Sequence, residues 1–349
     1  MEQIKVGITQ GDINGISYEV IIKTLMDNRI NELCVPIVYG SAKVAAYHRK
    51  ALDIQNFSLN IIGDADKANL KKSNVINTLD DNIRVELGKS SPEAGKAALN
   101  SLEHAVNDLK EGKIDVLVTA PINKDNIQSE EFDFPGHTEY LTQQFGQDNE
   151  TLMLMVSELM KVGVVTGHLP LKQVPEMLTQ DLILRKLRVM DQTLLQDFKI
   201  RKPRIAVFGL NPHPSDGGLM GDEESNIIIP AIKRAKEEDI MAFGPYSADG
   251  FFGSSNIKKF DGILAMYHDQ GLAPFKAISF DEGVNFTAGL NIVRTSPDHG
   301  TAYELAGKNE ASPTSFRNAL FLALDIFRNR QEYQELASNP LQPQNKGEE

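Results

Sequence analysis

Six short apolar runs, each too brief for a buried helix and each closed by a polar turn, constrain this chain more than any other feature. They cover residues 4–9, 35–40, 114–119, 162–166, 205–210 and 263–266. Helical spacing fills much of the space between them. Val20, Ile21, Thr24 and Leu25 share a face, and Val44, Ala45 and Tyr47 mark a second helix. Ser91-Pro92-Glu93 supplies an N-cap, a first-turn proline and an acid for a helix that runs to Gly112. Leu184, Leu187, Met190 and Leu194 lie on one side of a helix over 179–198, a stripe that reads as core or subunit contact. Ser312-Pro313 opens a last long helix. Strands apolar on both faces need helices on both faces, so the alternation predicts an α/β fold with a largely parallel sheet. A chain of 349 residues predicts two lobes sharing a cleft. Residues 64–81 are polar and carry no periodic signal, 245–249 read as a loop, and the tail from Pro340 reads as frayed.

Open parallel sheets bind ligands beyond the carboxyl ends of their strands. Three of the runs deliver a histidine there, in Gly167-His168-Leu169-Pro170, Asn211-Pro212-His213-Pro214 and Tyr267-His268-Asp269-Gln270-Gly271. The chain has only 7 histidines, so composition does not explain the coincidence. The pattern points to a divalent metal held by three neutral imidazoles, His168, His213 and His268, with positions left open for substrate oxygens. Asp249 is either a partner of a metal-bound group or a surface aspartate. In Phe134-Pro135-Gly136-His137-Thr138-Glu139, His137 and Thr138 either bind an anion at a helix start or cap that helix. His104 lies inside a helix and is read as structural. The glycine-bearing turn at 11–15 can offer backbone N–H groups to an anion, and Glu223 and Glu224 are expected to cap the helix they open. No G-x-G-x-x-G or Walker sequence occurs, so a nucleotide cofactor needs another scheme.

The net charge of -12 and the lack of any Lys/Arg run oppose a nonspecific nucleic-acid role, and an anionic substrate must be met by local cations. Cys34 is the single cysteine, which excludes an intrachain disulfide, fits a reducing compartment and reads as a buried apolar side chain. No segment is long and apolar enough to span a membrane, and the N-terminus lacks signal-peptide character, so a cytoplasmic protein without membrane partners is expected.

The segments Pro135-Gly136-His137-Thr138-Glu139, Gly209-Leu210-Asn211-Pro212-His213, Tyr267-His268-Asp269-Gln270-Gly271 and Arg294-Thr295-Ser296-Pro297-Asp298-His299-Gly300-Thr301-Ala302 resemble the 4-hydroxythreonine-4-phosphate dehydrogenase family of vitamin B6 biosynthesis. The resemblance runs from Gly11-Asp12 to Glu304-Leu305-Ala306-Gly307. It implies a two-lobed α/β/α architecture similar to isocitrate and isopropylmalate dehydrogenases, with one lobe over 1–140 and 295–349 and the other, carrying the metal ligands, over 141–294. It implies a homodimer whose active sites are shared between subunits and a small phosphorylated amino-acid substrate. His168, His213 and His268 match metal positions, for zinc, magnesium, cobalt or manganese, while His137, Thr138, Lys276, Asn285 and Arg294 match substrate contacts. The implied reaction is NAD- or NADP-dependent oxidation of 4-phosphooxy-L-threonine at its C3 hydroxyl, followed by decarboxylation. In it Lys276 relays protons or contacts substrate, and Asp269 orients His268 or acts as a base. Members commonly begin Gly-Asp/Glu-Pro-Ala-Gly-Ile-Gly-Pro-Glu, whereas this chain has Ile13-Asn14 and Ser17-Tyr18, and the segment after Lys276 is acidic at Asp281 and Glu282. A related branch that oxidises erythronate or threonate 4-phosphate, a metal-dependent hydrolase with a three-histidine site and a non-catalytic binding protein are the rival readings.

Overall fold

The computed structural model describes residues 3–80, 82–128, 134, 136–146 and 150–338; Pro135 and the tail from Pro340 lie outside the described residues. All six apolar runs are strands. In chain order the strands are β1 (Lys5–Thr9), β2 (Val35–Gly40), β3 (Asn60–Ile62), β4 (Asn74–Asn77), β5 (Val116–Thr119) and β6 (Leu152–Val156). They continue with β7 (Lys161–Thr166), β8 (Ile205–Phe208), β9 (Ala242–Tyr246), β10 (Gly262–Tyr267), β11 (Val284–Ala288) and β12 (Val293–Pro297). Among the described residues they form one sheet, ordered β3-β4-β2-β1-β5-β12-β11-β6-β7-β10-β8-β9.

The sheet is mostly parallel, as the run pattern predicts. One block, β3 through β12, pairs in parallel throughout, and so does the other, β7 through β9. Between the blocks, β11 runs antiparallel to β12 and to β6, and β6 runs antiparallel to β7. Three successive reversals leave the two blocks pointing in opposite directions. Strands β2, β5 and β8 are buried along their whole length, because helices cover both faces. The helices are locally well specified. Ser41, Ser91 and Thr179 each accept a hydrogen bond from a first-turn N–H of the helices Ala42–Ala51, Pro92–Lys110 and Gln180–Gln196. The Leu184, Leu187, Met190 and Leu194 stripe is buried in the core. The helix Thr314–Ser338 lies across β12, β5 and β11. Cys34 is buried, and burial pushes its thiol up to about 12, as expected of an inert apolar side chain.

The turn after β1 accounts for the residues that depart from the family pattern. Asp12 N donates to Pro121 O (2.9 Å), Asn14 N to Asp12 Oδ1 (2.8 Å) and Ile16 N to Thr301 O (3.0 Å). These N–H groups are therefore engaged within the protein, and the turn does not present them to an anion. Asn14 Nδ2 donates to Lys89 O (2.9 Å) while its Oδ1 accepts from Glu86 N (2.8 Å). Ser17 Oγ donates to Pro121 O, and the buried Tyr18 hydroxyl donates to Gln10 Oε1 and accepts from Ser41 N. Gly11 has φ 64°, and a Cβ there would meet Pro121 O at 2.4 Å, so glycine is required. Asn14, Ser17 and Tyr18 thus act as internal braces, and Ile13 is buried in the core beside them.

Two stretches differ from the sequence reading. The polar segment 64–81 contains β4, whose Asn74 is buried with its amide donating to the carbonyls of Pro36, Asn69 and Lys72. That asparagine organises a neighbouring loop rather than packing a face, which hides the strand from any apolar pattern. Residues 245–249 are not simply a loop, since β9 ends at Tyr246 and a short helix, Ala248–Phe252, follows. Pro245 is tolerated because β9 is an edge strand.

His48 is buried, stacks on Tyr18 at 5.2 Å between ring centroids and places Nε2 2.7 Å from Ile13 O. Burial lowers its pKa from 6.5 to about 4, against the opposing effects of the Ile13 hydrogen bond and Asp12. A depressed imidazole pKa means that the unfolded chain binds the proton more readily. Its stabilising effect is complete above pH 6.5 and is lost as the pH falls from 6.5 through 4, by up to about 3 kcal/mol. Denaturant titrations of the wild type and His48→Gln should show a smaller loss of stability for the variant over that window. Identical pH slopes would contradict this account.

Candidate active site

The middle of the sheet floors a cleft of about 290 Å³. Ser296 on β12 pairs with Asn285 on β11, and Asn285 pairs with Met155 on β6, so the three side chains form one row on the same face. Two residues along, Arg294 and Met153 continue that face, with Thr119 at the end of β5 beside them, and all line the cleft. Arg294 is only 3% exposed. Its Nε and Nη2 donate to Thr119 Oγ1 at 3.0 and 2.6 Å, and its Nη1 donates to Thr287 Oγ1 at 3.2 Å. Among the described residues no carboxylate pairs with it. Burial brings its pKa down to about 10, with the Glu139 charge working the other way.

His137 and Thr138 begin the helix His137–Phe145 and face this floor. The capping alternative is not observed, because Gly136 is the N-cap and no side chain caps the first turn. His137 is buried with Nε2 lacking a partner, and burial, together with Arg294 and Lys124, holds it well below the ordinary imidazole value. It is therefore a neutral hydrogen-bonding group. Asn285 Oδ1 and His299 Nε2 are also buried without partners. Orphaned polar atoms around an unpaired guanidinium make a polar recess whose charge suits a small anion.

His168 and His268 enter the same cleft from the ends of β7 and β10, with ring centroids 5.4 Å apart. Asp269 Oδ1 lies 2.7 Å from His268 Nδ1, which fixes the ring and leaves Nε2 free to ligate. Burial, and then the Lys124 charge, lowers the His168 pKa, which favours the neutral ligand form. The helix His268–Ile278 carries Lys276 two turns farther along, where its Nζ stands 2.7 Å from Asp298 Oδ1 and donates to Asp298 O at 3.2 Å.

His213 does not join them. It is exposed, does not line the cleft, and among the described residues no group of three His, Cys, Asp or Glu side chains is placed to hold a metal. Its loop is nonetheless held firmly. Buried Glu224 accepts from Asn211 N (2.8 Å), Asn211 Nδ2 (3.1 Å) and the Ser215 hydroxyl, so it braces the His213 loop instead of capping a helix. Gln270 Nε2 donates to Gly209 O (2.7 Å) and Gln270 Oε1 accepts from Met266 N (2.7 Å), tying the loops of His213 and His268 together. Asp249 is exposed, accepts from the Ser247 hydroxyl and is near enough to His213 to feel its charge. The sequence reading missed Lys124, Glu139, Thr119, Thr287, Asp298 and His299. Thr119 and Lys124 flank the Ala120-Pro121 turn that ends β5, so the strand-end rule that found the histidines would have reached them. His104 is exposed and bonded to its own helix at Asn100 O, in keeping with a structural role.

The family model for the pyridoxal phosphate biosynthetic protein PdxA matches residues 32–323. A 4-hydroxythreonine-4-phosphate dehydrogenase of Bacteroides thetaiotaomicron is 57% identical over 343 residues, covering 98% of this chain and 94% of that protein. One from a Sulfurihydrogenibium species is 42% identical, covering 94% of this chain and 99% of its own length. The crystal structure of 4-hydroxythreonine-4-phosphate dehydrogenase from Klebsiella pneumoniae superposes with a TM-score of 0.80 at 32% identity, covering 93% of this chain and all of that one, 100%.

A buried, unpaired guanidinium lowers stability, and apolar replacement of buried charges is often neutral or stabilising by about 1–4 kcal/mol. Arg294→Met is therefore expected to leave the Tm unchanged or higher while removing the stabilisation that inorganic phosphate gives the wild type, read by thermal melting. A lower Tm with phosphate stabilisation intact would show that Arg294 serves the fold and not a ligand.

Proposed function

This chain belongs to the family described as pyridoxal phosphate biosynthetic protein PdxA, and from that premise we propose how its cleft works. It is an oxidoreductase acting on a CH–OH group with a nicotinamide cofactor. The substrate is 4-phosphooxy-L-threonine, whose C3 hydroxyl becomes a ketone. The resulting β-keto acid, 2-amino-3-oxo-4-phosphooxybutanoate, loses CO2 to give 3-amino-2-oxopropyl phosphate. The observation that carries this reading is the buried Arg294 without a carboxylate partner, beside the unpartnered polar atoms of His137 and Asn285. A substrate bearing a phosphate and a carboxylate supplies the missing counter-charge, with Thr138 at the same helix start. Charge-assisted contacts of this kind are worth about 1.5–3 kcal/mol each.

The donor set fits a divalent metal when two chains contribute. His168 and His268 stand together with neutral-form chemistry, and Asp269 orients His268. The third donor is the partner subunit's His213, with Asp249 near that imidazole. Exposed apolar side chains flank both loops, Leu169 and Leu171 after His168, Leu219 and Met220 after His213, and a second copy would cover them. When bound, the metal supplies a Lewis acid for the reacting oxygen. Lys276, at the other end of its helix and paired with Asp298, moves the proton released at the C3 hydroxyl. Among the described residues, the cleft itself lies between a lobe drawn from 1–140 with 295–338 and a lobe drawn from 141–294.

A second cavity of about 300 Å³ opens off the first, with Lys276, Asp298 and His299 lining both, and its residues would hold the nicotinamide cofactor. Its walls include Ile16, Gly283, Ala302, Leu305 and Ala311. The cavity's apolar surface suits planar rings, and its position beside the cleft allows hydride transfer from the substrate carbon.

Subunit mixing tests the shared site. A heterodimer of His213→Ala with His268→Ala retains one complete ligand set, so two inactive proteins should recover part of the wild-type activity and metal content after mixing. A mixture of His168→Ala with His268→Ala should recover neither, because those two ligands come from the same chain. Recovery in the second mixture and not in the first would contradict the assignment.

A further inference from the structure

Phe280 is 79% exposed, although it belongs to a well-held turn. Ser279, just before it, is buried, and its hydroxyl donates to Ser157 Oγ at 2.9 Å. Glu282 N donates to Ser279 O at 3.2 Å, closing a four-residue turn, and Asn318 Nδ2 holds Glu282 O at 3.1 Å. Asp281, the third residue of the turn, has φ 67°, the left-handed conformation that such a turn demands there. The ring is thus presented to solvent by a turn pinned at both ends. A single exposed ring is ordinary on a protein surface, but one held by a rigid support on the wall of a cavity is placed to contact what enters it.

Phe280 lines the second cavity and does not line the catalytic cleft. The residues common to both cavities, Lys276, Asp298 and His299, mark the inner end, where the reacting ring of a nicotinamide cofactor must lie. Phe280 therefore stands toward the end that receives the other planar ring. We propose that Phe280 is an adenine-stacking residue, whose face packs against the base of the dinucleotide and fixes its distal half while Lys276 and Asp298 face the reacting half. This rests on the reading that the second cavity takes the cofactor.

Base–aromatic stacking of this kind is lost on truncation to alanine with roughly tenfold weaker binding. Calorimetry should show Phe280→Ala binding ADP-ribose about tenfold more weakly than the wild type, with its affinity for nicotinamide mononucleotide unchanged. The chain contains no tryptophan, so Phe280→Trp introduces a unique fluorophore. Its emission should be quenched saturably by ADP-ribose, with a Kd close to the wild-type value. A third variant, Ser312→Phe, places a bulky side chain on the exposed wall of the same cavity and tests the cavity itself. If Ser312→Phe abolishes ADP-ribose binding while Phe280→Ala binds normally, the stacking role is wrong and the cavity assignment stands. If Ser312→Phe binds ADP-ribose like the wild type, the cavity assignment falls and the stacking role falls with it. Sedimentation of Phe280→Ala as a smaller species than the wild type would make the ring a subunit contact and would also overturn the proposal.

Discussion

The reversal of strand direction at β11 and β6 is the constraint on which the site depends. A wholly parallel sheet delivers its ligand-binding turns to one edge. Here two parallel blocks point opposite ways, and the antiparallel strands between them expose a row of side chains on the face of the sheet. Ser296, Asn285 and Met155 reach the cleft from that row, with Arg294 and Met153 in the next row on the same face. The helix His268–Ile278 then spans the cleft, with His268 where β10 ends and Lys276 against Asp298 just after β12. The His168–His268 pair and the Arg294 recess are brought together by one short helix and three reversed pairings.

Electrostatics inside the cleft follow from what is buried there. A protein with net charge -12 offers an anionic substrate no general attraction, so the attraction has to be local. Arg294 is the buried charge placed to supply it, held by threonine hydroxyls that orient the guanidinium without neutralising it. The neighbouring imidazoles of His137, His168 and His299 are all held below their ordinary pKa by burial, so they add hydrogen-bonding and ligating capacity without more positive charge. Charge stays concentrated on Arg294, Lys124 and the Lys276–Asp298 pair.

Much of this was legible in the sequence, for reasons that differ by residue. The six apolar runs were legible because central parallel strands are buried on both faces, and the capped helices because serine and threonine carry their own signal at a helix start. His168 and His268 were legible as strand-end residues. The separation of His213 from them was not: β8 runs parallel to β7 and β10, but His213 lies five residues past the end of β8 in a loop held by Glu224, and a strand-end pattern does not fix the course of such a loop. The reversals at β6 and β11 were missed because an apolar run such as Leu152–Val156 signals a strand without fixing its direction against its neighbours. Glu224 was misread for a related reason: a carboxylate at a helix start looks like a cap until the tertiary fold shows Asn211 and Ser215 donating to it.

The central claim is that this cleft couples oxidation of a phosphorylated hydroxy amino acid to reduction of a nicotinamide cofactor with the help of a divalent ion. The most direct measurement is the absorbance of reduced cofactor after 4-phosphooxy-L-threonine, oxidised cofactor and a divalent metal are added to the purified protein. The account predicts reduced cofactor only when all three are present, and much weaker turnover of the analogue without phosphate. Release of inorganic phosphate with no reduced cofactor formed would contradict it and would point to a metal-dependent hydrolase.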